Sequence, residues 1–222
     1  MSEFRFAPSE RVLAQLPRKP VRADGMVTYE RLLDQIETFF SADGTTSLSL
    51  KQIAVATDMS VASVYHFFPV PEAALAALME RYLERAATEI MLNQSDDDGE
   101  NWQGVVTTVM SRGRAFYEKY PAALKLGLGL VQCASVRHLL LESNWALAET
   151  IFAELDRLFM LPKVADLVDH FAYAIVISDA LWSLSVSLHG TITDDLASAA
   201  ERAVTGYLVP HLGYNLRSKS EH

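Results

Sequence analysis

The chain is poor in the residues that announce covalent or catalytic chemistry. Its 222 residues include one cysteine, Cys133, so no disulfide can close within the chain, and a reducing, cytoplasmic setting is expected. No H-E-x-x-H, G-x-S-x-G or P-loop pattern occurs. Gly127-Leu-Gly129 is a fragment of a dinucleotide fingerprint, without its third glycine or a preceding strand. No enzyme class and no cofactor is therefore called for. Asp166/His170 and His138/Glu142 each share a helix face at i, i+4, but a pair of side chains does not make a metal site, and none is expected. Met1–Phe6 carries Glu3 and Arg5 and leads into no apolar stretch, so a secretory leader is not expected either. The longest apolar run, Phe171–Leu188, is interrupted by Asp179 and by Ser178, Ser183, Ser185 and Ser187. An aspartate near a bilayer centre is costly, so this run reads as a buried helix of a soluble bundle, with no membrane partner.

What the chain does have is apolar content. Half its residues are hydrophobic, enough to bury a sizeable core. The net charge is −9 and the pI near 5.1, which argues against indiscriminate nucleic-acid binding. The charge is uneven, however. Arg11, Arg18, Lys19 and Arg22 cluster near the amino terminus, while acidic residues gather at Asp96–Asp98 and Asp194–Asp195.

Hydrophobic spacing is helical throughout. Residues 1–25 hold Pro8, Pro17 and Pro20 and no apolar period, and read as a flexible basic arm. Tyr29, Leu32, Leu33, Ile36, Phe39 and Phe40 then share one helix face, closed by Ser41–Gly44. Ser49 and Gln52 form an S-x-x-Q capping box opening a second helix, whose Ile53 and Ala54 point inward. Asp58-Met59-Ser60 is a tight turn, and Ser60 caps a third helix ending near Phe68. Pro69 and Pro71 break the chain, and Pro71 suits the first turn of a helix reaching about Leu92, with Leu75, Leu78, Met79 and Tyr82 on its apolar side. Beyond the acidic loop Ser95–Glu100, helices are expected at 101–120, 121–131, 135–160, 163–189 and 193–209, with junctions at Pro121, Pro162 and Gly190. No strand alternation or internal repeat appears. The predicted fold is all-α: an arm (1–25), a three-helix helix-turn-helix domain (26–70), a helical effector-binding and dimerisation domain (71–213) and a tail (214–222).

Residues 28–80 resemble the TetR (tetracycline repressor) family of transcriptional regulators. The resemblance rests on Gly44, Ser49, Ile53-Ala54, Ser60 opening the third helix, Ser63-Val64-Tyr65, Phe68 and Leu75. Where the family usually has glycine in the turn, this chain has Asp58, which tolerates the left-handed conformation. Ala62 replaces a frequent glycine, Ile36 a small residue, and Pro71 a phosphate-contacting lysine.

A helix-turn-helix seats its second helix in the major groove. Here Ser60, Val61, Ala62, Ser63 and His66 are the candidate readers: hydroxyl and imidazole for base edges or phosphates, Val61 and Ala62 for thymine methyls. That helix has no Arg or Lys, so the commonest guanine contact is unavailable. Thr46, Ser49, Lys51 and Tyr65 are phosphate-contact candidates, and Arg18, Lys19 and Arg22 minor-groove candidates.

The resemblance implies that the helices at about 163–189 and 193–209 pair with their twins in a homodimer. Two heads then imply a palindromic double-stranded operator. An effector cavity is expected between helices of the helical domain, with the amphipathic residues near its apolar helix faces, Tyr82, Phe116, Tyr120, Trp145, Phe152, His170 and Tyr173, as candidate contacts; their mostly apolar and aromatic character points to a small hydrophobic or aromatic effector. The favoured role is a repressor released by that effector. The competing reading is a helix-turn-helix protein that has lost operator binding and acts through protein partners, and behind it a helical enzyme.

Overall fold

The computed structural model describes residues 7–41, 47–91, 101–129 and 133–219. The regular elements among them are helices: α1 (Glu10–Leu13), α2 (Ala23–Ser41), α3 (Leu50–Ala56), α4 (Val61–Phe67), α5 (Pro71–Met91), α6 (Trp102–Lys119), α7 (Pro121–Gly127), α8 (Ala134–Leu158), α9 (Leu167–His189) and α10 (Asp194–Leu212). One isolated antiparallel bridge joins Phe159 to Ser218. The chain divides into two compact units, Met1–Glu84 with Tyr120–Leu140 and Arg85–Lys119 with Leu141–His222. The division falls inside α5 rather than at residue 70, because the first two thirds of α5 and the stretch around α7 group with the head.

In the first unit α2 buries Tyr29, Leu32, Leu33, Ile36 and Phe40, the face its spacing predicts. Against it pack Ile53 and Ala54 of α3, Val64 and Phe67 of α4, and Phe68. The Tyr29 ring lies 5.9 Å from that of Phe67 and 5.2 Å from that of Phe68. Burial pushes the Tyr29 hydroxyl well above its usual range, with nearby Glu80 acting in the same direction. Arg81 of α5 bonds to three carboxylates of α2: Glu30 at 2.7 Å, Asp34 at 2.8 Å and Glu37 at 3.1 Å. Burial lowers the Arg81 pKa, but the bonds to Asp34 and Glu30 outweigh it and the net shift is upward. Lys125 Nζ donates to the Phe40 carbonyl at 2.9 Å, satisfying an end group of α2.

The flexible-arm expectation needs correction over residues 7–22. Ser9 caps the single turn α1, Arg18 N donates to the Phe67 carbonyl at 2.8 Å, Ser135 N donates to Gln15 Oε1 at 3.2 Å, and Lys19 pairs with Glu80 at 2.9 Å. These anchors are backbone groups and isolated side chains, which leave no hydrophobic period. Helix α2 also starts earlier than its apolar face, at Ala23. Gly44, Thr46 and the acidic loop Ser95–Glu100 lie outside the described residues.

In the second unit α10 packs along α9. Gly190 ends α9 with φ +73°, a conformation L side chains rarely adopt. Ser185 Oγ ties the turn, donating to the Thr191 carbonyl (2.8 Å) and accepting from Thr193 N (2.9 Å). The tail is fastened too: Trp102 Nε1 donates to the Gly213 carbonyl, Gln103 Nε2 to that of Tyr214, and Met160 N to that of Arg217.

Candidate nucleic-acid interface

Helices α3 and α4 are joined by a turn whose geometry depends on Asp58, at φ +52°. Met59 N closes the turn onto the Ala54 carbonyl at 2.9 Å, and buried Thr57 Oγ1 donates to the Ile53 carbonyl at 2.8 Å. Arg31 Nη2 of α2 donates to the Thr57 carbonyl at 2.6 Å, locking the turn to the core. Sequence reasoning did not single out Arg31. Its one signal is a basic residue between the buried Tyr29 and Leu32.

Both helix starts are capped by serines. Ser49 Oγ accepts from Gln52 N at 3.5 Å; among the described residues Gln52 makes no return bond, so half of the capping box forms. Ser60 Oγ accepts from Ser63 N at 3.1 Å and is bonded to Ser63 Oγ at 2.7 Å. With Val64 and Phe67 buried, α4 turns Val61, Ala62, Tyr65 and His66 outward as one exposed face. Tyr65 is 39 % exposed. Helix α3 exposes Lys51, Gln52, Val55 and Ala56, and Val55, absent from the sequence-based candidates, is 82 % exposed. Arg18 and Arg22 are exposed, whereas Lys19 is engaged with Glu80. Pro71 is the first residue of α5, where its missing N–H costs no helix bond.

The seven effector candidates separate. Tyr82 and Tyr120 belong to the first unit, with rings 5.6 Å apart and the Tyr82 hydroxyl donating to Glu37 at 2.7 Å. In the second unit Trp145, His170 and Tyr173 form one ring cluster: Trp145 and His170 lie 5.9 and 6.0 Å from Tyr173, and Trp145 Nε1 donates to Asp169 at 2.9 Å. The cluster extends to Tyr207 and His211 of α10. His170 Nδ1 is 2.8 Å from the Tyr207 hydroxyl, and its ring stacks on His211 at 3.6 Å. The i, i+4 spacing of Tyr207 and His211 is the signal that would have found them. Phe116 is buried beside Tyr117, and Phe152 is half-buried.

A second group forms around Trp182, whose ring meets Tyr117 edge-on at 6.2 Å and lies 3.5 Å from where a Cβ on Gly113 would stand. Burial drives the Tyr117 hydroxyl far up, and Asp179 adds to that; Asp179 itself accepts from Asn144 at 3.0 Å. Trp182 Nε1 and Ser178 Oγ, one turn apart on α9, are buried without a hydrogen-bond partner. Among the described residues no three metal-ligating side chains gather.

No protein-family model matches the chain. A TetR-family transcriptional regulator from Streptomyces coelicolor superposes with a TM-score of 0.63 at 25 % identity, over 82 % of this chain and 98 % of that one. The R. erythropolis repressor QsdR, also of the TetR family, gives 0.53 at 16 % identity over 84 % and 96 %, a likeness of fold. In sequence, 59 residues are 32 % identical to an uncharacterised HTH-type transcriptional regulator of Xanthobacter autotrophicus; the match spans 27 % of this chain and 29 % of that relative. Fold and head together define an all-α helix-turn-helix regulator. In fold and head the chain is similar to TetR-family transcriptional regulators.

Proposed function

We propose that the chain is a repressor that binds a palindromic operator as a homodimer and releases it on binding a small hydrophobic or aromatic effector. The observation carrying the operator reading is the head itself: a turn locked by Asp58, Thr57 and Arg31 presents the Val61–Ala62–Tyr65–His66 face of α4 outward. Lys51, Ser49 and the helix N-termini supply phosphate contacts, and Arg18 and Arg22 supply groove charge. Homodimerisation is supported by α9, apolar over most of its circumference yet with Tyr173, Leu184 and Leu188 left 44, 47 and 64 % exposed.

Effector binding is supported by Trp182 Nε1 and Ser178 Oγ. An indole N–H is a donor only, and a buried donor without an acceptor is costly, so a ligand bearing an acceptor oxygen suits this part of the second unit. Release would follow from a coupling of about 1–3 kcal/mol between ligand and head, transmitted along α5, the helix that runs from one unit into the other.

Selection from a random duplex pool by the full chain tests the operator reading. The expected result is an enriched palindrome with half-sites about one helical turn, ~34 Å, apart. No enrichment at low salt from folded dimer would support instead a head that works through protein partners, a reading favoured by Pro71 and the absence of Arg or Lys from α4.

A further inference from the structure

The exposed face of α4 lacks the side chains that usually name a base. Guanine is read by Arg or Lys, adenine by Asn or Gln, cytosine by Asp or Glu, and none of these six stands anywhere in Val61–Phe67. The N-terminal turn, the part of a reading helix that meets base edges, offers Val61, 41 % exposed, and exposed Ala62. The flanking hydroxyls are partly committed: Ser60 Oγ accepts from Ser63 N, and Ser60 and Ser63 hold each other at 2.7 Å. A free hydroxyl bonds donor and acceptor edges alike and so discriminates poorly. Tyr65 and His66 stand one turn further along the helix, so what the N-terminal turn itself offers is apolar contact, and the C5-methyl of thymine is the one apolar group a base pair displays in the major groove of unmodified DNA.

Resting on the operator reading above, we propose that the head takes half-site sequence from C5-methyl groups through Val61 and Ala62. It would then distinguish thymine from uracil and accept 5-methylcytosine in place of thymine. Operator affinity would in consequence respond to cytosine C5-methylation, which carries the same methyl to the same place in the groove.

The test uses the full chain and the duplex enriched by selection. Each thymine of a half-site is replaced in turn by uracil, by cytosine paired with guanine, and by 5-methylcytosine paired with guanine, and affinity is read by fluorescence anisotropy. At one or two positions uracil should weaken binding about fourfold per half-site, the equivalent of one buried CH₂ at about 0.8 kcal/mol, and about 15-fold when both half-sites are changed. There, 5-methylcytosine should bind several-fold tighter than cytosine. In Val61→Ser, a change at an exposed position, the thymine/uracil ratio at one of these positions should fall towards one.

Uracil within twofold of thymine at every position would overturn the proposal and assign readout to Tyr65 and His66. A uracil penalty without recovery by 5-methylcytosine would overturn the equivalence of the two methyls. A uracil penalty that persists in Val61→Ser and in Ala62→Gly would overturn the assignment to these residues. Absence of any enriched duplex would remove the operator reading itself, and is distinguished because it precedes every substitution in the DNA.

Discussion

Asp58 holds a φ of +52° in the turn that sets α4 against α3. An L-residue there costs about 1–2 kcal/mol, and aspartate is among the few that occupy it readily. Asp58→Ala should therefore lower stability by about 1 kcal/mol in urea denaturation followed by circular dichroism, while Asp58→Gly should match the natural chain within about 0.5 kcal/mol. Equal losses in both variants would mean that the carboxylate, not the backbone, holds the turn. His211 permits a second test. Its pKa is lowered from 6.5 by burial and by neighbouring His170, so near that pH the unfolded chain binds more protons than the folded one. The contribution is complete above pH 6.5 and is lost as pH falls through the lower, folded value. The ring is half-buried and keeps part of its contact with solvent, so the effect is small. Thermal midpoints should decline from about pH 7 to 5 less steeply in His211→Gln than in the natural chain; parallel curves would contradict the assignment. At this scale the sequence was readable wherever a residue type has a single local use. Asp58 in the turn, Ser49 and Ser60 at helix starts and Pro71 at the opening of α5 are such cases. Arg31 and the Tyr207–His211 pair were harder to read, because their roles depend on partners supplied by other helices.

Among elements, the pairing of α2 with α5 rests on Arg81, whose side chain is 10 % exposed and reaches Glu30, Asp34 and Glu37. Hydrogen bonds to charged groups contribute about 1.5–3 kcal/mol, and the half-exposed carboxylates place this cluster at the lower end. Arg81→Ala should cost about 2 kcal/mol, and Arg81→Lys should restore less than half, since an ammonium cannot reproduce the guanidinium fork. Full rescue by lysine in the same denaturation assay would show that charge alone suffices. Apolar periodicity made the helices legible but left their ends and allegiances open. The face of α2 followed from Tyr29 to Phe40, yet the helix extends back to Ala23, where no residue is buried. Helix α1 and the fastening of residues 15–19 had no periodic signal. The passage of α5 from one unit to the other was equally hidden, because Leu75, Leu78, Met79 and Tyr82 repeat at the same spacing whichever partner they meet.

For the whole molecule, two faces carry the account: the outward face of α4 and the apolar surface of α9. The joint substitution Leu184→Glu with Leu188→Glu, both at exposed positions, should shift sedimentation from twice the 24.6 kDa chain mass to one chain and leave helical content unchanged. A natural chain that sediments as a monomer would remove the dimer from the account. Operator recognition by α3 and α4 is tested by the salt dependence of affinity for the selected duplex. Each phosphate neutralised adds about −0.9 to the slope of log affinity against log salt. A steep negative slope is expected for the natural chain. In Lys51→Gln it should be shallower by about 2, because each of two subunits then neutralises one phosphate fewer; Val61→Ser should leave it unchanged. A flat slope, or one that Lys51→Gln does not alter, would contradict the placement of α3 and α4 on DNA.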